Sequence, residues 1–400
     1  MWRWALLSSF FICSWEVAFP KNSVLGSPPE WEQLDEFQES ITRSEFKNLL
    51  DKVYCPRSMW WKPWIVIEDG RARIRKFAGK DLWYNLSFSD KKLEFPKVKS
   101  PRQSVKGLKI ALDPGHIGGK FSEMEGRHFS MGKDNPVKEG NLTLQTALQL
   151  KEILSKRGAE VVMVREKNSP VTQKRPKDFA KEAQEWMLGL GLEGVSKSDK
   201  VKLLEKRKEM LFYRVSEIRA RARLINTKIR PDLVVCLHLN AGAWKDPEKK
   251  ELLERNDYHI LVNGCYMGGE LAYDDQRFEM ILRLLSGWHE LERTLAESLS
   301  GSFSSMTRLP AFSYKGPNAL KVGKVEGVWA RNLLANRLYR CPVVFLEPYR
   351  ANSIDAYHRI LLGDYAGTRK ISGVPRASLV REYAKAVADG ILGDLEEDSR

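Results

Sequence analysis

The chain has 400 residues, of which 42% are hydrophobic and 30% charged, and its formal net charge is +14 at pH 7. This composition is typical of a soluble globular protein with two or three domains, at roughly 150 residues per domain, and it excludes long disorder and a polytopic membrane protein. The positive charge indicates an anionic partner, which could be nucleic acid, anionic lipid or an acidic polymer such as a cell wall.

The first 18 residues have the pattern of a secretory signal. Arg3 precedes a charge-free run over 4–15, as in the n-region and h-region of such a leader. Cys13 could instead be a lipidated cysteine that anchors the protein to a membrane, and a buried helix is the structural alternative. We therefore predict export to the periplasm or cell envelope, with 1–18 as a signal peptide or lipoprotein leader.

A small α+β unit is predicted over 41–96, between a linker at 19–40 and a hinge at 97–106. Thr42 and Glu45 have the spacing of a helix capping box. The pair Asp69-Gly70, between two strand-like runs, is a signal for a two-residue hairpin.

From residue 107 the pattern changes to strand, helix and strand, over 108–112, 142–156 and 160–164. This βαβ unit predicts an α/β fold with a mixed, largely parallel sheet flanked by helices, preceded by the small α+β unit. Further strands are expected at 233–237, 258–262 and 343–346, and helices at 200–226, 289–299, 328–338 and 378–391. Segments near 176–200 and 245–287 are expected to be insertions in a domain that spans 107–393.

Residues suited to metal chemistry follow three of the apolar strands. His116 lies just beyond the first strand, His238 and Glu347 end later ones, and Glu139 begins the helix between the first two strands. Because ligands gather at the carboxyl ends of strands in open α/β sheets, these side chains are expected to converge. Two histidines and one carboxylate with an open fourth position are typical of hydrolytic zinc sites.

The candidate residues also allow other interpretations. A histidine at a strand end is often only hydrogen-bonded, whereas a buried glutamate such as Glu347 requires a partner. The turn at 115–120 resembles a phosphate loop but lacks its GK[ST] ending, and no GxSxG motif provides a serine nucleophile. Five cysteines without a CxxC pair argue against a disulfide framework and against a thiolate metal site.

Several motifs occur in a fixed order: KIALDPGHIGG at 109–119, EGNLTLQTALQLKEIL at 139–154, Arg221 with Asn226, PDLVVCLHLNA at 231–241 and PVVFLE at 342–347. Together they resemble the zinc-dependent N-acetylmuramoyl-L-alanine amidases of bacterial cell-wall remodelling, the amidase 3 family. The resemblance spans about residues 107–393.

The resemblance implies a zinc cofactor and a catalytic carboxylate. Zinc would be held by His116, Glu139 and His238, with Glu347 as the catalytic group. It also implies a substrate, the amide that joins the lactyl group of N-acetylmuramic acid to L-alanine. Weaker candidates are Asp113 as a second carboxylate that orients His116, Asn240 as a substrate contact, and Arg221 in either of these roles.

This sequence departs from the family pattern in its loops. Ile117 separates His116 from the glycine pair, and the long loop before Glu139 contains His128, Glu123 and Glu125 as rival ligands. The insertions could hold an inhibitory helix over the metal, and Glu270, Asp274 and Asp275 are acidic enough to reach zinc.

The predicted function is therefore that of a peptidoglycan hydrolase. The alternatives are a zinc amidohydrolase or peptidase that acts on another amide, and a non-catalytic, basic cell-wall-binding protein. Peptidoglycan is the expected partner and a protein activator is conceivable, whereas no recognised motif supports binding to nucleic acid.

Overall fold

The computed structural model describes residues 21–91, 104–246, 248–371 and 373–393. The predicted leader, Cys13 and most of the predicted hinge lie outside these residues. Within them, no helix has the length and apolar character that crossing a membrane requires.

The helices are α1 Arg43–Leu49, α2 Ser58–Trp61, α3 Glu139–Lys156, α4 Ala180–Leu188, α5 Lys197–Met210, α6 Glu217–Leu224, α7 Gly268–Leu271, α8 Asp274–Leu285, α9 His289–Thr307, α10 Leu334–Leu338, α11 Ile354–Leu361 and α12 Leu379–Leu392. The strands are β1 Ile65–Ile67, β2 Arg71–Phe77, β3 Lys80–Ser87, β4 Lys109–Pro114, β5 His128–Phe129, β6 Val137–Lys138, β7 Glu160–Met163, β8 Leu233–Leu237, β9 Tyr258–Val262, β10 Leu320–Lys321, β11 Val328–Ala330, β12 Val343–Pro348, β13 Arg369–Ile371 and β14 Val374–Arg376. Short 3-10 helices cover Trp31–Phe37, Gly119–Phe121 and Pro176–Phe179, and π-helical turns cover Leu50–Tyr54, Leu211–Ser216 and Ile225–Ile229.

The amino-terminal unit contains the predicted hairpin and helix cap. Strands β1 and β2 pair antiparallel on either side of the Asp69-Gly70 turn, and β3 pairs with β2. The Thr42 side chain accepts a hydrogen bond from the Glu45 backbone at the start of α1, which completes the capping box. The predicted linker differs from the structure, because Trp31–Phe37 is helical and Trp31 is buried against Phe278.

Within the described residues, a seven-stranded sheet in the order β10-β11-β9-β12-β8-β4-β7 forms the centre of the larger domain. Four of its strand pairs are parallel, whereas β12 with β9 and β10 with β11 are antiparallel. One face packs against α3, α9 and α12, and the other packs against α6 and α10. This arrangement confirms the predicted mixed, largely parallel α/β sheet.

The helix predicted at 328–338 is a strand followed by a short helix. Val328, Trp329 and Ala330 are all buried and form β11, which pairs parallel with β9. Only α10 is helical, and the Asn336 side chain caps it by accepting a hydrogen bond from the Leu333 backbone at 3.0 Å. A short apolar run that is buried on both faces has no strand periodicity to distinguish it from a helix.

The predicted insertion at 245–287 is an integral part of the fold. It contains β9, which lies inside the main sheet, and α8, which packs against the amino-terminal unit. Asp274 accepts hydrogen bonds from the backbone of Lys21 and Ala78, both at 2.9 Å, and Asp275 accepts one from Ser23 at 2.8 Å. These carboxylates therefore attach the amino-terminal unit, which contradicts the hypothesis that they reach the metal site.

Candidate metal and catalytic site

The turn after β4 presents the first histidine of the site. His116 adopts a left-handed conformation with φ of 58°, which is uncommon for a residue other than glycine. The preceding Gly115 lies against the imidazole of His238, where an added Cβ would be 2.3 Å from the ring. Glycine is therefore required for the close approach of this turn to β8.

Two buried arginines hold this turn from within the protein. Arg221 on α6 donates to the backbone oxygens of Pro114 at 2.7 Å and His116 at 2.8 Å. Arg165 donates to the oxygens of Pro114 at 3.0 Å and Gly115 at 3.1 Å. The structure thus places Arg221 behind the turn, as a residue that positions His116.

The carboxylate on the Nδ1 side of His116 is that of Glu125. Its Oε1 lies 3.7 Å from His116 Nδ1, and it also accepts hydrogen bonds from the backbone of Ile117 and Gly118. Asp113, predicted to orient His116, instead accepts hydrogen bonds from Arg221 at 2.8 Å and from Tyr339. The reason is strand alternation, since Asp113 lies on the sheet face that α6 covers.

His116, Glu139 and His238 meet at the carboxyl edge of the parallel strands. Glu139 Oε1 lies 3.2 Å from His116 Nε2 and 3.3 Å from His238 Nδ1. The three atoms lie within 4.8 Å of one another, so together they could hold a metal ion. Glu139 is the first residue of α3, and its Oε1 also accepts a hydrogen bond from the Leu239 backbone at 3.1 Å.

The electrostatics of this cluster favour an ionised carboxylate between two imidazoles. Burial opposes ionisation of Glu139, but the charge of His116 and hydrogen bonds from both imidazoles lower its pKa overall. Burial likewise opposes the charged form of His116, yet Glu139 and Glu125 raise its pKa to about 9. Burial lowers the pKa of His238, which favours the neutral imidazole that binds metals.

Glu347 lies on β12, within electrostatic reach of Glu139 and His116. It shares a sheet face with Phe345, whose ring stacks on His238 at a centroid distance of 4.2 Å. Burial and the nearby charge of Glu139 raise the pKa of Glu347 to about 8. A carboxyl group with a pKa near neutrality can both accept and donate a proton during a reaction.

The long loop before α3 contributes Arg127, which was not among the residues predicted from the sequence. Its Nε lies 3.2 Å from Glu139 Oε2 and 3.3 Å from His116 Nε2. The rival ligand His128 instead bonds to Ser122 at 3.0 Å and lies 3.6 Å from Glu123. A loop residue such as Arg127 carries no periodic signal, whereas Arg165, also missed, follows an apolar strand just as the recognised site residues do.

A cavity of about 310 Å³ opens beside Glu139. Arg127, Phe129, Asn240 and Trp244 are among the residues that line it. The structure thus places Asn240 in the wall of the cavity, where the predicted contact with substrate would be made.

Residues 110–249 match the family model described as N-acetylmuramoyl-L-alanine amidase, Amidase_3. This segment contains His116, Glu139 and His238, whereas Glu347 lies beyond it. No curated protein matches the chain.

Three solved structures illustrate the structural similarity. The CwlD amidase from Clostridioides difficile, in complex with the GerS lipoprotein, is 13% identical with a TM-score of 0.40, over 72% of this chain and 98% of that one. The N-acetylmuramyl-L-alanine amidase Ami1 from Mycobacterium smegmatis is 16% identical with a TM-score of 0.39, over 73% of this chain and 99% of that one. The N-acetylmuramoyl-L-alanine amidase AmiC2 of Nostoc punctiforme is 16% identical with a TM-score of 0.37, over 72% and 98% respectively.

Proposed function

We propose that this chain is a member of the N-acetylmuramoyl-L-alanine amidase family and acts as a zinc-dependent peptidoglycan hydrolase. The bond cleaved is the amide between the lactyl group of N-acetylmuramic acid and the L-alanine of the stem peptide. The observation that carries the proposal is the convergence of His116, Glu139 and His238 beside Glu347 at one edge of the sheet.

The donor atoms of the cluster suit zinc. Catalytic zinc sites bind imidazole nitrogen and carboxylate oxygen at about 2.0–2.2 Å in a tetrahedral arrangement, which separates neighbouring donors by roughly 3.3 Å. The distances from Glu139 Oε1 to His116 Nε2 and His238 Nδ1 are 3.2 and 3.3 Å. Three protein ligands leave the fourth position open to water and substrate.

Zinc held by His116, Glu139 and His238 would lower the pKa of a water molecule to about 7 and polarise the amide carbonyl. Glu347 would accept a proton at its carboxylate from the attacking water as the water oxygen adds to the carbonyl carbon. Glu347 then returns the proton to the nitrogen of L-alanine as the carbon–nitrogen bond breaks. Glu125 orients the His116 ring from its other nitrogen, as groups behind metal ligands commonly do.

The proposal is tested by incubating the purified full chain with muropeptides before and after treatment with a chelator. We expect cleavage that the chelator abolishes and that added zinc restores, with one zinc ion bound per chain. Cleavage that continues in the chelated protein would contradict a zinc mechanism.

Export to the periplasm or cell envelope is part of the proposal, and so is a membrane anchor through Cys13 as an alternative to leader cleavage. Both are supported by the leader pattern of the first 18 residues.

A further inference from the structure

The two faces of the main sheet bring different side chains to the two sides of the candidate metal ligands. Phe129 packs against the core on the α3 and α12 face, whereas Phe345 belongs to the core on the α6 face. Because side chains alternate along a strand, Glu347 lies on the same face as Phe345. Phe129, in the wall of the cavity beside Glu139, and the acid–base group Glu347 therefore lie on opposite sides of the candidate metal ligands.

The aromatic side has the chemistry of a sugar site. Phe129 and Trp244 meet edge to face, with their centroids 5.3 Å apart, in the wall of the 310 Å³ cavity. Trp244 is only half-buried, so part of its indole remains accessible to a ligand. An aromatic ring can pack against the apolar face of a pyranose, and the amide of Asn240 and backbone groups of the cavity wall can bind its hydroxyl and acetamido groups.

The acid–base side has the chemistry of a carboxylate site. His259 lies opposite Glu347 in the pairing of β9 with β12, and its Nε2 is 2.9 Å from the hydroxyl of Tyr314. Arg331 donates to the same hydroxyl at 3.2 Å, and its positive charge partly opposes the rise in the pKa of Glu347. Arg331 is half-buried, and a guanidinium has five donors, so it can also bind a carboxylate.

The reaction chemistry assigns the two halves of the substrate to these sides. Glu347 delivers its proton to the nitrogen of L-alanine, so the leaving peptide must lie on the side of Glu347. The lactyl group and its sugar must then lie on the opposite side, where the aromatic cavity is.

We propose that the substrate binds with a fixed polarity, with the muramoyl sugar against Trp244 and a stem-peptide carboxylate bound by Arg331 and Tyr314. The inference rests on the proposed function, since it orients the substrate of that reaction. It makes Trp244 and Arg331 residues that determine specificity for opposite ends of one molecule.

The test compares three substrates: a muramoyl tetrapeptide, a lactoyl tetrapeptide without the sugar ring, and a muramoyl tetrapeptide with an amidated carboxylate at the second residue. Trp244→Ala should lower kcat/KM roughly tenfold on the muramoyl tetrapeptide and leave the lactoyl tetrapeptide unchanged. Arg331→Met should lower kcat/KM roughly tenfold on the muramoyl tetrapeptide with its free carboxylate and only slightly on the amidated substrate.

Binding of the two product halves gives a readout that is independent of catalysis. Calorimetric titration of the full chain should show that Trp244→Ala weakens the binding of N-acetylmuramic acid and not that of the tetrapeptide. Arg331→Met should weaken the binding of the tetrapeptide and not that of N-acetylmuramic acid. The matched controls are Trp83→Ala on the amino-terminal unit and Arg340→Met on the surface. Two conservative variants complete the set: Trp244→Phe keeps an aromatic ring, and Arg331→Lys keeps the positive charge.

The proposed polarity would be overturned if Trp244→Ala weakened binding of the tetrapeptide and Arg331→Met weakened binding of N-acetylmuramic acid. It would also be overturned if each variant lost equal affinity for both halves. A wild-type chain that cleaves none of the substrates would contradict the proposed function, and the binding of the halves would still decide the polarity. A wild-type chain that binds neither half would contradict both.

Discussion

At the scale of single residues, Arg221 helps to hold the His116 backbone in place. Arg221→Met would remove its bonds to the His116 backbone and leave Asp113 and Glu217 without their buried cation. Breaking a buried ion pair from one side commonly costs about 3–5 kcal/mol. Urea unfolding should therefore show a loss of about 3 kcal/mol in Arg221→Met. Arg223→Met, on the exposed face of the same helix, should differ little from wild type.

Glu347 can be separated from the metal ligands by experiment. Glu347→Gln should lower kcat by a factor of about 10²–10⁴, because the proton shuttle is lost, and should leave the zinc affinity nearly unchanged. Glu139→Gln, by contrast, should release zinc, because it removes the shared anionic ligand. Metal titration and muropeptide kinetics on both variants measure this contrast. Equal zinc loss in both would make Glu347 a ligand.

The raised pKa of Glu347 predicts a pH-dependent stability in the zinc-free chain. Burial and then Glu139 raise this pKa from 4.5 to about 8, so the folded state binds the proton more tightly than the unfolded state does. The contribution of Glu347 to stability is therefore present below pH 4.5 and is lost as the pH rises towards 8. The zinc-free Glu347→Gln variant should accordingly be more stable to unfolding than the zinc-free wild type at pH 8, and the difference in stability should be smaller at pH 5. Thermal unfolding at the two pH values measures it, and an identical difference at both would contradict the prediction.

The sequence predicted the residues of the cluster better than their surroundings. His116, Glu139, His238 and Glu347 follow strands or begin a helix, so the topology alone brings them to one edge. The contacts behind them come from tertiary packing, which the sequence does not encode locally. For this reason Glu125, and not Asp113, lies beside His116.

At the scale of elements, α8 links the two parts of the chain. Its Phe278 packs edge to face on Trp31, with centroids 5.5 Å apart, and both side chains are buried. Phe278→Ala should cost about 3–5 kcal/mol and should increase hydrogen exchange in the helix at 31–37. Leu188→Ala, at a side chain that is 87% exposed, is the control. Unchanged exchange at 31–37 would mean that the amino-terminal unit does not depend on this contact.

Long periodic helices and strands beside turn signals were predictable, and short buried elements were not. The sequence indicated α3, α12 and the β1–β2 hairpin to within a few residues. It misassigned β11, because three buried residues in succession show neither helical nor strand periodicity. It also treated 245–287 as an insertion, because the polar stretches on either side of β9 hide a strand of the main sheet.

At the scale of the whole molecule, the net charge of +14 fits an acidic polymeric substrate. The charge and the site chemistry thus indicate the same kind of partner.

In the proposed reaction, water cleaves the amide between the lactyl group and L-alanine. The most direct test of this cleavage is mass analysis of muropeptide products formed by the full chain in water enriched in ¹⁸O. We expect an intact stem peptide that begins with unlabelled L-alanine, and one ¹⁸O atom in the lactyl carboxylate of N-acetylmuramic acid. Label within the stem peptide, from cleavage of another amide, would contradict it.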